Sequence, residues 1–226
     1  RKRGEGHSKK EAQPSMRGFF FAIIVTNMQR YGFFFVSALL VVLDQVTKLC
    51  VKGFSLFGIE HSGMYLGESH PLVGDVVRLT FVENPGMAFG ISFGAGKIIL
   101  TLATIVIAAG IAWYLRRAID VGARRVVLVG VMLVLSGAIG NLIDRMFYGV
   151  FYGEAPLFYG KVVDFLQVDI PDISIAGEVW THWPVFNVAD SCVSVGVVIL
   201  MLFSAHMPTI SSLRVGKAPL EEDGTV

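Results

Sequence analysis

Charge is what this sequence has least of. Asp, Glu, Lys and Arg supply 16% of its 226 residues, where a soluble domain of similar length carries about 25%. With 54% hydrophobic residues and a mean hydropathy of +0.63, the deficit excludes an ordinary soluble globule and points to a membrane protein. Cysteine is nearly absent too. Cys50 and Cys192 cannot form a disulfide scaffold, and both lie in or beside apolar runs, where a free thiol fills space. His61, His70 and His182 are scattered without metal-ligand spacing. No glycine fingerprint for a nucleotide is present. The net charge of +1 gives no reason to expect nucleic acid as a partner. Ser191 stands beside Asp190, but no histidine accompanies them to make a triad.

What the chain has instead is long apolar runs. Four stand out, at 31–51, 97–115, 126–143 and 186–206. Each has the length that a rise of about 1.5 Å per residue needs to cross a hydrocarbon core of about 30 Å. The short connection RRAIDVGARR holds Arg116, Arg117, Arg124 and Arg125, and the N-terminal flank is equally basic. By the positive-inside rule both face the cytoplasm. Four spans then return the C-terminus to the same side, in agreement with Arg214 and Lys217. The connections 52–96 and 144–185 are placed outside, and Asp190 at the outer end of the fourth span.

This predicts an all-α polytopic membrane protein of four transmembrane helices, with a small extramembrane β element on the outer face. Residues 1–30 read as a basic N-terminal extension, partly disordered over RKRGEGHSKKEAQPS, with the apolar stretch after Met16 leading into the first span. Residues 31–207 form the membrane domain and 208–226 a cytoplasmic tail. The β element is expected at DVVRLTFVEN (75–84), where Val77, Leu79 and Phe81 alternate with Arg78 and Thr80. PGMAFG after it reads as a tight turn. The second outer connection, with Phe147, Tyr148, Phe151, Tyr152, Phe158 and Tyr159, suits an interfacial loop at headgroup depth.

Polar residues in the apolar runs are few, and an ionisable one is expensive there, on the order of 2.5–3.5 kcal/mol at a helix centre. Asp44 and Lys48 are four apart and can pair on one helix face. Asn141, Asp144 and Arg145 form a polar stripe above Gly137 and Gly140, two small residues that let a helix approach. The plain reading for Asp144 is an ion pair with Arg145, while Arg145 and Asn141 could instead donate to a ligand. Asn187, Asp190 and Ser194 share a face at the start of the fourth span, where a carboxylate can simply cap the helix. Asp164 stands in GKVVDFLQV, flanked by apolar residues.

Asp164 and Asp190 both map to the outer surface, both in apolar sequence. Two carboxylates converging in a poorly hydrated cleft share a proton, which equips them to activate water by general acid–base catalysis. A different class of protein remains open at this point, a proton-coupled transporter with Asp44, Asp144 and Asp190 as a relay. A relay would spread titratable groups across the membrane's depth, whereas these cluster toward the outer half. A non-catalytic lipid-binding scaffold would leave Asp164 without a purpose.

Five blocks, LDQVTK (43–48), VENPGMAFG (82–90), GNLIDR (140–145), VVDF (162–165) and FNVADS (186–191), occur in this order on the four runs. In that arrangement the chain resembles lipoprotein signal peptidase, also called signal peptidase II. The resemblance implies an aspartyl endopeptidase of the bacterial cytoplasmic (inner) membrane. It would remove signal peptides from diacylglyceryl-modified prolipoproteins by cutting just before the lipidated cysteine. It implies Asp164 and Asp190 as the catalytic dyad. Asn84, Gly86, Ala88 and Phe89 would form a substrate-proximal turn, Asn141 and Arg145 would hold substrate backbone, and Asn187 and Ala189 would shape the dyad. Asp44, Lys48 and Asp144 would be supporting residues. It further implies no metal or other cofactor, membrane lipid and lipidated prolipoproteins as partners, inhibition by cyclic peptides of the globomycin type, and a monomer. The chain departs from the resemblance in its outer connections. Eighteen residues separate Arg145 from Asp164, more than the family pattern has, and this aromatic insertion is expected to form a lid or platform over the site.

Overall fold

The computed structural model describes residues 16–74, 76–86, 96–175 and 178–214, with side chains left aside at 16–30, 173, 175, 178–181 and 214. Ala88 and Phe89 fall outside the described residues. In chain order the elements are helix α1 (Met16–Lys52), strands β1 (Phe54–Leu56), β2 (Ile59–His61), β3 (Ser69–Val73) and β4 (Val77–Asn84), and helices α2 (Lys97–Asp120) and α3 (Arg125–Ile143). A π-helical turn (Asp144–Tyr148), the short α4 (Gly149–Phe151), strands β5 (Val162–Ile175) and β6 (Glu178–His182), and helices α5 (Val188–Leu202) and α6 (Ile210–Arg214) complete the fold.

The four apolar runs are all helical. Three helices are long and apolar enough to cross a membrane, and a fourth span is completed only if α5 and the helical residues after it, bent by 77°, are counted together. The expected fourth run, 186–206, is thus broken near its end. The regular helix stops at Leu202, where Phe203 leaves helical backbone at φ −111° and ψ 21°, and Met207, before Pro208, is extended at φ −75° and ψ 130°. The apolar stretch after Met16 is continuous in backbone with the first span.

α3 lies at the centre, against α1, α2 and α5. Leu115, Val127, Leu128, Val131 and Leu135 form the core between α2 and α3. The α3–α5 contact is close because Gly137 faces α5, and a Cβ there would stand 2.2 Å from the carbonyl oxygen of Ala189. Outward-facing apolar side chains such as Phe35, Val106 and Met201 remain exposed, as expected for surfaces that meet lipid rather than water.

The β part is larger than the small element expected. β1 and β2 form a hairpin, and β3-β4-β5-β6 form a four-stranded antiparallel sheet. The predicted strand at 75–84 appears as β4. A second core, made of Val51, Phe81, Tyr148, Val163 and Phe165, packs the sheet against α1 and the π turn. The aromatic connection is therefore not wholly interfacial. Tyr148 is buried and donates to Gln45 Oε1 at 3.1 Å, and Tyr152 donates to the Gly53 carbonyl at 2.7 Å, whereas Phe147 and Phe151 are exposed.

Candidate active site

Two backbone constraints bring Asp164 and Asp190 together. β5 pairs with β4 so that Val82 lies opposite Asp164 and Asn84 opposite Val162. β5 also bridges to the residue just before α5, with Leu166 N–H donating to the Phe186 carbonyl at 2.7 Å and Phe186 N–H returning to Leu166 at 3.0 Å. The chain then turns into α5 through Asn187, whose side-chain oxygen accepts from Asp190 N–H at 2.8 Å. The Asp190 carboxylate reaches back to Asn187 N–H at 3.3 Å, completing a reciprocal capping box. The capping reading of Asp190 is correct, but it uses one oxygen.

The other oxygen, Oδ1, accepts from Asn141 Nδ2 at 2.7 Å. Asn187 Nδ2 donates to Asp164 Oδ1 at 2.7 Å and to Asn141 Oδ1 at 3.0 Å. The Asn84 side chain also hydrogen-bonds Asp164, and its Oδ1 accepts from Gly86 N–H at 2.9 Å. Gly86 has φ +94°, which allows this turn to close tightly. One amide side chain, Asn187, thus touches both carboxyl-bearing residues, and three asparagines line the pair. Asp164 is not the solvent-facing strand residue that the sequence alone allows, being only 3% exposed. Burial pushes its carboxyl up to about 7, and the neighbouring charge of Asp190 adds to the push. Lys48 and the Asn187 and Asn84 amides oppose it.

Beneath this pair lies a second group of charges. Lys48 is 0% exposed, and its ammonium sits 2.8 Å from Asp44 Oδ2, 2.7 Å from Asp144 Oδ2 and 3.0 Å from Asn141 Oδ1. The predicted Asp44–Lys48 pair is present. Asp144 pairs with this lysine rather than with Arg145, because the π turn points it into the bundle. Each flanking carboxylate also accepts a backbone N–H. Asp44 Oδ1 takes Ala189 N–H at 2.8 Å, and Asp144 Oδ2 takes Val163 N–H at 3.2 Å. Ala189 and Val163 are the residues directly before Asp190 and Asp164, so a lysine-centred clamp holds both strands of chain that carry the pair.

Gln45 was not singled out by its sequence context, yet its amide donates to Asp144 Oδ1 at 2.9 Å and to the Gly140 carbonyl at 3.1 Å. A polar amide next to Asp44 inside an apolar run was the available signal. Arg145 lies within the field of Asp190, Asp144 and Asp164, and its Nε is the buried side-chain polar atom without a hydrogen-bond partner among the described residues. At the rim, Glu83 is bound by Lys52 and Lys161, and Lys52 also meets Glu154 at 2.8 Å and lies over the Tyr152 ring at 4.1 Å. Among the described residues no group of three or more His, Cys, Asp or Glu side chains could hold a metal ion.

The lipoprotein signal peptidase of Pelodictyon phaeoclathratiforme is 34% identical over 185 residues, covering 78% of this chain and 95% of its own length. That of Porphyromonas gingivalis is 34% identical over 211 residues, covering 83% and 88%. Two solved structures described as a bacterial membrane enzyme, obtained by the in meso method at 2.3 Å and 1.9 Å resolution, superpose with TM-scores of 0.56 and 0.55. They are 25% and 26% identical, cover 77% and 76% of this chain, and are themselves covered over 87% and 90%. The family model for signal peptidase (SPase) II matches residues 36–206, a stretch that holds both aspartates, the lysine clamp, the C-terminal part of α1 and helices α2 to α5, and the chain belongs to that family of peptidases.

Proposed function

We propose that this chain is an aspartyl endopeptidase that removes signal peptides from diacylglyceryl-modified prolipoproteins, cutting before the lipidated cysteine, with Asp164 and Asp190 as its dyad. The observation that carries the reading is the asparagine bridge. Asn187 binds Asp164 and organises Asp190, so two carboxyl groups share one poorly hydrated site without a lysine between them.

In this mechanism Asp164 holds the shared proton and Asp190, at the α5 N-terminus, is the ionised base. Asp190 takes a proton from water as the water oxygen attacks the scissile carbonyl carbon. Asp164 donates its proton to the carbonyl oxygen, giving a neutral tetrahedral diol. Asp190 then passes its proton to the cysteine nitrogen and the C–N bond breaks. A diol proton returns to Asp164, leaving a carboxylic acid on the signal peptide and a free amine on the lipidated cysteine. Arg145 and Asn141 hold the substrate backbone, Asn84 and Gly86 set the turn facing it, and Ala189 keeps the approach to α3 close; Ala88 and Phe89 are assigned to substrate by the family resemblance alone.

The same reading places four spans in the bacterial cytoplasmic membrane with both termini cytoplasmic and the dyad at the outer face. The peptidase domain is 31–207, between a basic extension and a cytoplasmic tail. The test is cleavage of a diacylglyceryl-modified prolipoprotein by the purified chain and by Asp164→Asn and Asp190→Asn, each with and without chelator. Chelator-insensitive cleavage by the parent and its loss in both folded variants is the expected result. Substantial cleavage by either variant overturns the dyad.

A further inference from the structure

The charges at the end of β4 take no part in the chemistry above, yet they are nearly closed to solvent. Glu83 gives one carboxylate oxygen to Lys52 and the other to Lys161, and the Lys52 and Glu83 side chains are 7% and 9% exposed. Desolvating such a group is costly, so its position asks for a reason. Lys52 stands four residues after Lys48 on α1 and Lys161 directly before β5. The connection between them in space supplies Glu154, 2.8 Å from Lys52 and 3.9 Å from Lys161, and the Tyr152 ring beneath Lys52. Burial pushes the Glu83 carboxyl up, but Lys161 and Lys52 outweigh it and hold the group below the ordinary carboxylate value. Successive strand residues face opposite sides. On the Glu83 side Phe81 and Val163 enter the second core, whereas Asn84 faces Asp164 and hydrogen-bonds it. Asn84 is the last residue of β4, and its partner Val162 is the first of β5. The ladder that carries Asn84 therefore ends at it, and Glu83 is the residue that ties this end to α1.

We propose that Glu83 is a positioning residue for cleavage: clamped between Lys52 and Lys161, it holds the end of β4 so that Asn84 stays on Asp164. The inference rests on the functional reading above and adds to it a residue that acts only through another. Its effect on the reaction lies in the proton of Asp164. Burial and then Asp190 favour the protonated acid, while Lys48 and the Asn187 and Asn84 amides favour the ionised form. Arg145 also lies within the field of Asp164. Loosening Asn84 removes one of the groups that draw the proton off, so Asp164 holds it more tightly and gives it up less readily to the carbonyl oxygen. A direct effect of charge has the opposite sign. Without the Glu83 charge, Lys52 and Lys161 are less compensated, and added positive potential pulls the Asp164 carboxyl down. The direction of the change thus separates positioning from a field effect.

The test is the pH dependence of kcat and kcat/KM for a diacylglyceryl-modified prolipoprotein, measured on the full chain, Glu83→Gln, Asn84→Ala and the double variant. Glu83→Gln keeps the side chain's size and removes its charge. It is expected to lower kcat by about tenfold with KM within about twofold, and to move the alkaline limb upward by about half a pH unit. Asn84→Ala should move the limb the same way. The double variant should move it no further than Asn84→Ala alone, because both substitutions act through one contact. Lys161→Met, which leaves Lys52 on Glu83, should shift it in the same direction by less. A limb that stays or moves downward in folded Glu83→Gln, or full additivity in the double variant, overturns the positioning role. So does a lower melting temperature with unchanged kcat and limb, the mark of a brace alone. If Glu83→Gln does not fold, Lys161→Met alone and with Asn84→Ala gives the same decision. If the parent chain cleaves and Asp164→Asn does not, a contrary result removes the role of Glu83 only. If the parent chain cleaves none, shows no alkaline limb, or stays active as Asp164→Asn, the functional reading falls and the role of Glu83 with it.

Discussion

Two carboxylate pairs meet in this molecule, and they differ in what stands between them. Asp44 and Asp144 have Lys48 at 2.8 and 2.7 Å. Asp164 and Asp190 have the amide of Asn187. The lysine sets one positive charge against both neighbours and fixes them, which favours a structural role for the lower pair. An amide holds oxygen atoms in place without supplying charge, so no cation stands between the upper pair, as the proposed dyad requires. A transporter relay would need the lower pair free to exchange protons, whereas Lys48, Gln45 and two backbone N–H groups occupy its oxygens.

The largest test of the contrast is to remove it. Asp164→Asn and Asp190→Asn should each lower cleavage by about 10²–10⁴-fold, the usual contribution of a positioned acid or base, whereas the lower pair should act mainly through stability. Lys48→Met leaves two buried carboxylates unpaired and should destabilise the fold by about 3–5 kcal/mol. Thermal unfolding in detergent would show it, and adding Asp144→Asn should recover part of the loss. Full stability in the single variant would break the distinction between the pairs.

The pH dependence sharpens it further. Burial first, and then Asp190, raise Asp164 from 3.8 to about 7. Between those values the folded state binds more protons at this site than the unfolded chain does, so stability from this group is fully present below about 3.8 and is lost as pH rises through about 7. Asp164→Asn should therefore raise the melting temperature more at pH 8 than at pH 5, although it abolishes cleavage. With Asp164 as the acid, cleavage by the parent chain should fall on the alkaline side near pH 7, and a flat profile from 5 to 9 would count against a shared proton in the pair.

Smaller effects follow from the asparagines and the rim. Asn187→Ser keeps a helix cap but cannot span to Asp164. It should hold stability to within about 1 kcal/mol while cleavage drops, and Asn187→Ala should lose both. Lys161→Met removes a partner of Glu83, but Lys161 is 40% exposed, so the expected loss is at most about 1 kcal/mol.

The helical runs were legible from their apolar length, and β4 from its two-residue alternation. Asp44 and Lys48 were legible as a pair because a helix alone brings them together. Asp144 was not, since its lysine lies on another helix and the adjacent Arg145 was the nearer candidate in sequence. The convergence of Asp164 and Asp190 has no local signature. It depends on the Leu166–Phe186 bridge; their shared outer placement raised it as a possibility, and the resemblance of five ordered blocks implied it. Tyr148 was misplaced among interfacial aromatics because helical backbone runs on past Ile143 where a loop was expected, and carries this ring into the second core.

That π turn is an α-helix carrying one residue more than the regular spiral accommodates. Deleting a residue between 144 and 148 would restore regular winding while turning the flanking positions by about 100° relative to one another. Asp144 and Arg145 could then not both keep their places. A lineage selected for heat resistance alone would have reason to lose the irregularity, and would lose the enzyme with it.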